Sequence, residues 1–440
     1  MLTLHRTYRA KIRNHGQVAK MLDRHGWSAS KLWNVANYHL RRVWEDTGEI
    51  PDDGDLKNEL KTHSTYKGLH SQSSQRVLEE LAETFNSWYE TRTSDDRANP
   101  PGYRKNNYYD SEGRRVHEEH PRSTVTWKQH GFRHDTENDR IRLSKGANHK
   151  DRPNAWEYIL VEYETRPGVD VENLQQVRAV YDNVKKRWEL HLVCKGEIET
   201  PDAPGDETAG IDLGISNVAA VAYSTDDADL YPGNRLKQDG YYFPKEIAKC
   251  DDSDGERATQ LHHKWSERRT HFIHSLAKHI VERCIEKGVC RTHVGKLEGG
   301  RDDENGDSKD WGSHGNLDLH GWAFDRFTSI LTYKAKVEGI EVVEVSERDT
   351  SKTCCVCRET DDSQRVERGL YVCEECDAAF NADVNGAENI RRDINDASNS
   401  ESPTSLGGDR STGWLAQPAV YLHDLSRGFQ LREQVVDGKP

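Results

Sequence analysis

Apolar and polar positions alternate along residues 2–12 with the period of a strand. From about Gln17 to Glu45 the period lengthens, and Leu32, Val35, Ala36, Leu40 and Val43 recur on one face of a long helix. Val77, Leu78, Leu81, Phe85, Trp88 and Tyr89 mark a second helix, whose aromatics read as core rather than as a ligand platform. Between residues 90 and 154 the period is lost, and the chain becomes polar and rich in Arg and Tyr: Tyr103, Arg104, Lys105, Tyr108, Tyr109, Arg114 and Arg115. Basic residues interleaved with aromatics suit stacking on unpaired bases, and a mobile loop has the same composition, so both readings stand. Strand patterns over 155–163, 177–184 and 187–194 predict that the N-terminal part ends in antiparallel sheet.

Pro201 to Glu207 is acidic and Pro-bearing, the best domain boundary in the sequence. Beyond it, residues 209–223 predict a hairpin turning at Gly214–Ser216. A helix over 264–287 carries Phe272, Ile273, Leu276, Ile280 and Cys284 inward and stops at Gly288. A strand at 291–297, a charged loop at 299–318, a helix at 322–337 closed by Gly339 and a strand at 340–346 complete an α/β pattern. Residues 395–411 are rich enough in Ser, Asp and Gly to predict disorder.

Composition changes this picture in two ways. No run approaches the roughly 18 apolar residues of a membrane helix, and the N-terminus lacks the apolar core of a signal peptide, so a soluble, cytoplasmic protein without a membrane partner is expected. The net charge of −14 argues against nucleic acid as a partner. However, 37 of the 62 basic residues are Arg and the acids are spread through loops, which reads as a halophilic surface. Residues 1–43 hold nine Lys or Arg against the single acid Asp23, a basic segment suited to an anionic partner or to an ordinary solvated helix face.

The chemistry concentrates in the C-terminal half. Cys354 and Cys357 form one C-x-x-C and Cys373 and Cys376 another, separated by fifteen residues, the spacing of a four-thiolate structural zinc site. Cys355 reads as a passenger facing away from the metal. Asp212, in the string Gly210-Ile211-Asp212-Leu213-Gly214, is an acid on an apolar strand and must be neutralised, paired or bound to a cation. Asp383, seven residues after the last thiol, precedes a helix and by itself reads as its N-cap. Together the two carboxylates at one sheet edge would bind magnesium, as two-metal phosphodiester hydrolysis requires.

GIDLGISN at 210–217, TSKTC-x-x-C at 350–357, C-x-x-C at 373–376 and NADVNGAENI at 381–390, in that order, resemble the TnpB family of insertion-sequence proteins, related to type V CRISPR effectors. The likeness extends to WLAQPAV at 414–420 and is similar to the haloarchaeal branch. It implies an RNA-guided DNA endonuclease of α+β multi-domain fold. An N-terminal β-barrel with a helical recognition insert (1–200) and a linker (201–207) would precede a ribonuclease-H-like (RuvC) α/β domain (208–349 and 381–394). A zinc ribbon (350–380) would interrupt that domain, and a partly disordered tail (395–440) would follow it. The implied partners are a guide RNA and a double-stranded DNA target, and the implied cofactors are one structural zinc and two catalytic magnesium ions. Asp212 matches the family's first catalytic acid and Asp383 its third. At the middle position this chain reads Gly295-Lys296-Leu297-Glu298, with neither family carboxylate. Glu298 would substitute if the strand end shifted, and Lys296 would repel magnesium. A nuclease-inactive guided DNA binder and an unguided zinc-ribbon protein are therefore the alternatives.

Overall fold

The structure, a computed structural model, describes residues 2–93, 98–104, 107–109, 111–118, 120–150, 156–252, 255–296, 324–367, 369–395 and 413–432. The chain forms two compact units, one spanning Thr3–Ile198 and the other Glu199–Pro440 with Met1–Leu2. Glu298, the loop at 299–318 and the segment at 396–411 lie outside the described residues.

β1 (Leu2–Ile12) enters the first unit at Thr3, and then three helices intervene before the sheet resumes: α1 (His15–Thr47), α2 (Asp53–Leu60) and α3 (Ser71–Thr91). The short pair β2 (Asn107–Tyr109) and β3 (Arg115–Glu118) stands apart from the main sheet. The remaining strands are β4 (Val125–Lys128), β5 (Phe132–Asp135), β6 (Arg140–Ser144), β7 (Tyr158–Glu164), β8 (Leu174–Asp182) and β9 (Arg187–Ile198). With β1 they form a seven-stranded sheet in the order β4-β8-β9-β1-β7-β6-β5. Its two edges, β4 and β5, are joined by the three-residue turn Gln129–Gly131, and so short a connection holds the edges within roughly 14 Å. The sheet is therefore curled nearly into a barrel. Trp127, Ile141, Leu143, Val161, Trp188, Leu190 and Leu192 fill it, together with Leu22, Leu32, Leu40, Leu78, Leu81 and Phe85 from the helices. Strands β4–β6 fall in the stretch without a period. They are short, and few large side chains, Trp127, Ile141 and Leu143 among them, hold them to the core, too few to leave a pattern.

The second unit carries another seven-stranded sheet. It comprises β10 (Glu207–Asp212), β11 (Asn217–Tyr223), β12 (Asp227–Pro232), β13 (Val289–Lys296), β14 (Glu341–Ser346), β17 (Ala419–Asp424) and β18 (Gly428–Leu431), in the order β14-β13-β10-β11-β12-β17-β18. β10, β13 and β14 run parallel, and β10-β11-β12 is an antiparallel meander. The alternation of side chains divides the strands between two cores. One face, with Ile211, Val221 and Val294, packs on α5 (Glu256–Glu286) and α6 (Phe324–Val337). The other, with Ala220, Ala222 and Leu230, packs on α7 (Ala382–Arg391) and on the hairpin β15 (Leu370–Cys373) and β16 (Ala378–Asn381).

One sequence expectation needs correction, and two features went unread. α5 begins at Glu256, eight residues before the expected start, because its first two turns are polar and bury only Ala258. α4 (Asn234–Ile247) was hidden by Gly240 and Pro244, and it buries Phe243, which stacks on Trp265 at 6.0 Å. The tail joins the second unit: Leu415 is buried, and β17 pairs in parallel with β12 to extend the sheet.

Candidate active site

Asp212 is the last residue of β10, and the path to its neighbours follows from glycines and asparagines around it. Gly210, two residues earlier on the same face, allows α7 to cross at closest approach. A Cβ there would lie 2.1 Å from the Ala387 carbonyl oxygen and 2.4 Å from the Arg391 nitrogen. On the helix, Gly386 faces Asp212 itself, and a Cβ there would lie 2.9 Å from Asp212 Oδ2. The helix therefore lies against the strand end, and Asp383, one turn nearer its start, is carried to the same edge.

Asp383 is not the N-cap. Asn381 is, accepting from the Asp383 and Val384 amides through its side chain, which leaves the Asp383 carboxylate free to face outward from the first turn. Asn217, the first residue of β11, donates from Nδ2 to Asp383 Oδ2 at 2.7 Å, and Arg365 Nη2 stands 3.6 Å from Asp383 Oδ1. Asn385 and Asn389, one turn apart, tie the helix to the segment around the first thiol pair. Asn385 Nδ2 donates to the Thr353 carbonyl and its Oδ1 accepts from the Cys355 amide, while Asn389 Nδ2 reaches the Thr350 and Thr353 carbonyls.

The middle position differs from expectation. Gly295 lies beside Asp212 on β13, since Ile211 pairs with Val294. Lys296 is exposed and, by strand alternation, on the opposite face from Gly295, so it does not sit among the acids as the sequence suggested. Glu347, which the sequence reading missed, follows the end of β14. A Cβ on Gly295 would stand 3.4 Å from both Cβ and Oε2 of Glu347, and 2.7 Å from Ile390 Cδ1. An acid just past an apolar strand was the available signal, but Glu344 and Glu347 look alike until the sheet face is known.

The electrostatics register the crowding. The Asp212 carboxyl is pushed up to about 8, first by loss of solvent, then by the charges of Asp383 and Glu347, with Arg365 opposing. Loss of solvent also raises Glu347. An oxygen-only donor set of like charges fits a hard divalent cation such as magnesium.

The second centre is sulfur. The ligand atoms of Cys354, Cys357, Cys373 and Cys376 lie within 4.8 Å of one another. Sγ of Cys354 is 3.8 Å from that of Cys376, and Sγ of Cys357 is 3.5 Å from that of Cys373. These separations are too long for disulfides, and they match the roughly 3.8 Å between thiolates around one tetrahedral zinc. After each pair the backbone turns through a left-handed residue, Arg358 (φ 67°) and Asp377 (φ 49°). Cys355 is buried outside this cluster, so the group could hold one metal with four sulfurs.

Residues 191–300 match the OrfB_IS605 family, described as "Probable transposase", and residues 324–390 match the "Cas12f1-like, TNB domain" family. The first match includes Asp212 and Gly295, and the second includes Glu347, the four cysteines and Asp383. The chain is 24% identical over 428 residues to "TnpB-like protein ORF457" of Acidianus two-tailed virus, covering 88% of this chain and 86% of that protein. It is 24% identical over 227 residues to "CRISPR-associated endodeoxyribonuclease Cas12f1" of Sulfoacidibacillus thermotolerans, covering 48% of this chain and 51% of that protein. Among solved structures, the Cas12f1-sgRNA-target DNA complex aligns with a TM-score of 0.58 at 15% identity, over 85% of this chain and 82% of that one, a likeness of fold.

Proposed function

We propose that this chain, which belongs to the TnpB family, is a guide-RNA-directed DNA endonuclease whose cutting site is the edge formed by Asp212 and Asp383. The observation that carries the reading is the convergence of these carboxylates from a strand end and a helix start, with glycines at both crossing points. The mixed sheet with parallel β10, β13 and β14, acids at its C-terminal edge, supports a ribonuclease-H-like (RuvC) domain. The thiol cluster supports an inserted zinc ribbon.

Asp212 and Asp383 would hold the magnesium ions, and bound magnesium supplies Lewis-acid stabilisation of the phosphate and an activated water. Asn217 fixes the direction of the Asp383 carboxylate, and Arg365 offsets part of the local charge. Cys354, Cys357, Cys373 and Cys376 would hold zinc, which fixes where α7 starts and hence where Asp383 stands. In the first unit, Tyr38 (57% exposed) near Arg42 and Tyr103 (48% exposed) beneath Arg41 offer stacking surfaces beside cations, suited to a guide RNA. Tyr108 and Tyr109 lie on β2, with side chains outside the described residues.

The test uses full-length protein with its copurifying RNA and a plasmid bearing the matching target. Asp212→Asn is expected to lose at least a hundredfold in cutting while target binding persists. Undiminished cutting by Asp212→Asn would refute this site. Tight guided binding with no cutting by the wild type would favour the inactive-binder reading, to which the absence of a carboxylate at Gly295 and Lys296 lends support.

A further inference from the structure

We infer that Glu347 supplies the third metal-binding carboxylate of this site, reaching from the end of β14 to the flank of Gly295. This rests on the nuclease reading and deepens it. The register places Asp212, Gly295 and Val345 side by side on adjacent strands, all on the face covered by α7. Glu347 lies two residues beyond Val345 and so points to the same face, about 7 Å farther along the strand direction. From there its side chain folds back, because its Oε2 is 3.4 Å from the position of a Gly295 Cβ. The carboxylate thus stands over the strand next to Asp212, at a spacing of about 4.8 Å between strands.

Three further observations agree. The space over residue 295 is already filled, since Ile390 Cδ1 would lie 2.7 Å from a Cβ there. Ile390 therefore leaves residue 295 no room for a carboxylate of its own, and Glu347 stands beside that position. The backbone of Glu347 is fixed, its carbonyl accepting from the Thr350 hydroxyl at 2.8 Å and the Thr350 amide at 3.2 Å, while Asn389 of α7 holds the Thr350 carbonyl. Glu347 is half-buried, yet among the described residues no hydrogen bond or ion pair reaches its carboxylate. A half-buried carboxylate without a partner is costly to hold, and divalent cations bound along this edge would offset that cost. Two ions about 4 Å apart require carboxylates spread along an edge rather than closed on one point.

The experiment compares wild type, Glu347→Gln and Asp212→Asn as full-length, zinc-loaded complexes with copurifying RNA. It reads manganese binding by titration and target cutting separately. Gln keeps the size of Glu, and unchanged zinc content and target binding certify the fold. Glu347→Gln is expected to weaken manganese binding at least tenfold and cutting at least a hundredfold. Wild-type manganese affinity and cutting in Glu347→Gln, with Asp212→Asn inactive, would overturn the role of Glu347 and leave the nuclease reading intact. Full cutting by Asp212→Asn would overturn both. If the wild type does not cut, manganese titration decides alone, and equal affinity in wild type and Glu347→Gln overturns the inference.

Discussion

Gly210 and Gly386 have the same reason to lack a side chain, yet their replacements should differ in cost. A methyl on Gly210 meets backbone atoms of α7 at 2.1 and 2.4 Å, and neither can move without lifting the helix. A methyl on Gly386 meets one carboxylate oxygen at 2.9 Å, which can rotate. Overpacking costs about 1–3 kcal/mol and more when backbone must shift, so Gly210→Ala should lower the melting temperature more than Gly386→Ala. Gly386→Ala should instead disturb cutting, because the atom it displaces belongs to Asp212. Calorimetric melts with cleavage rates on both variants check this, and equal melting losses would contradict it. The strings around these glycines were recognisable in the sequence, but the residue to which each glycine yields space was not. Asn381 as the cap, in place of Asp383, is a similar case: both sit where a cap is chemically sensible, and only the backbone dihedrals distinguish them.

At the scale of elements, α7 depends on the four-thiol segment before it. Its cap residue ends β16, the hairpin strand that follows the second thiol pair, and Asn385 and Asn389 grip the segment before the first pair. Removing one thiolate from a closed four-sulfur site leaves the metal open to water and loosens both hairpin ends. Cys373→Ser is therefore expected to lose the bound zinc, to lower the melting temperature of the second unit and to reduce cutting, because Asp383 loses its fixed start. Metal analysis showing full zinc in Cys373→Ser would disprove the ligand assignment. The grouping of the four thiols was legible from spacing because each C-x-x-C pair is a local structure. α4 was not, since its helix-breaking residues are local signals while the burial of Phe243 against Trp265 is a tertiary one.

At the scale of the molecule, the two units have separate cores and should respond to acid separately. His25, fully buried in the first unit, has its pKa lowered to about 4, chiefly by burial, against 6.5 for an ordinary histidine. Between those values the unfolded chain takes up a proton that the folded chain refuses, so stability declines as pH falls from 6.5 towards 4. At about 1.4 kcal/mol per pKa unit the loss totals roughly 3 kcal/mol. Denaturant unfolding of wild type and His25→Gln across this range should show the variant with the shallower pH dependence, and parallel curves would refute the assignment. Among the described residues no helix is long and apolar enough to cross a membrane.

The sequence by itself determined what depends on neighbours along the chain: the long helices, the hairpin at 209–223, the thiol pairs and the strings carrying Asp212 and Asp383. It also indicated antiparallel sheet ahead of an α/β region, where enough large side chains are buried on one face to leave a period, whereas the near-closure of that sheet was implied only by the resemblance. Only the tertiary structure decided which acids share an edge. Strand order and register set Gly295 between Asp212 and Glu347, sent Lys296 to the other face and brought the tail into the sheet beside β12. Such relations join residues tens to hundreds of positions apart through hydrogen bonds between strands. A one-residue change of register would reverse every face, and nothing in the local pattern of a single strand records which partner it will meet.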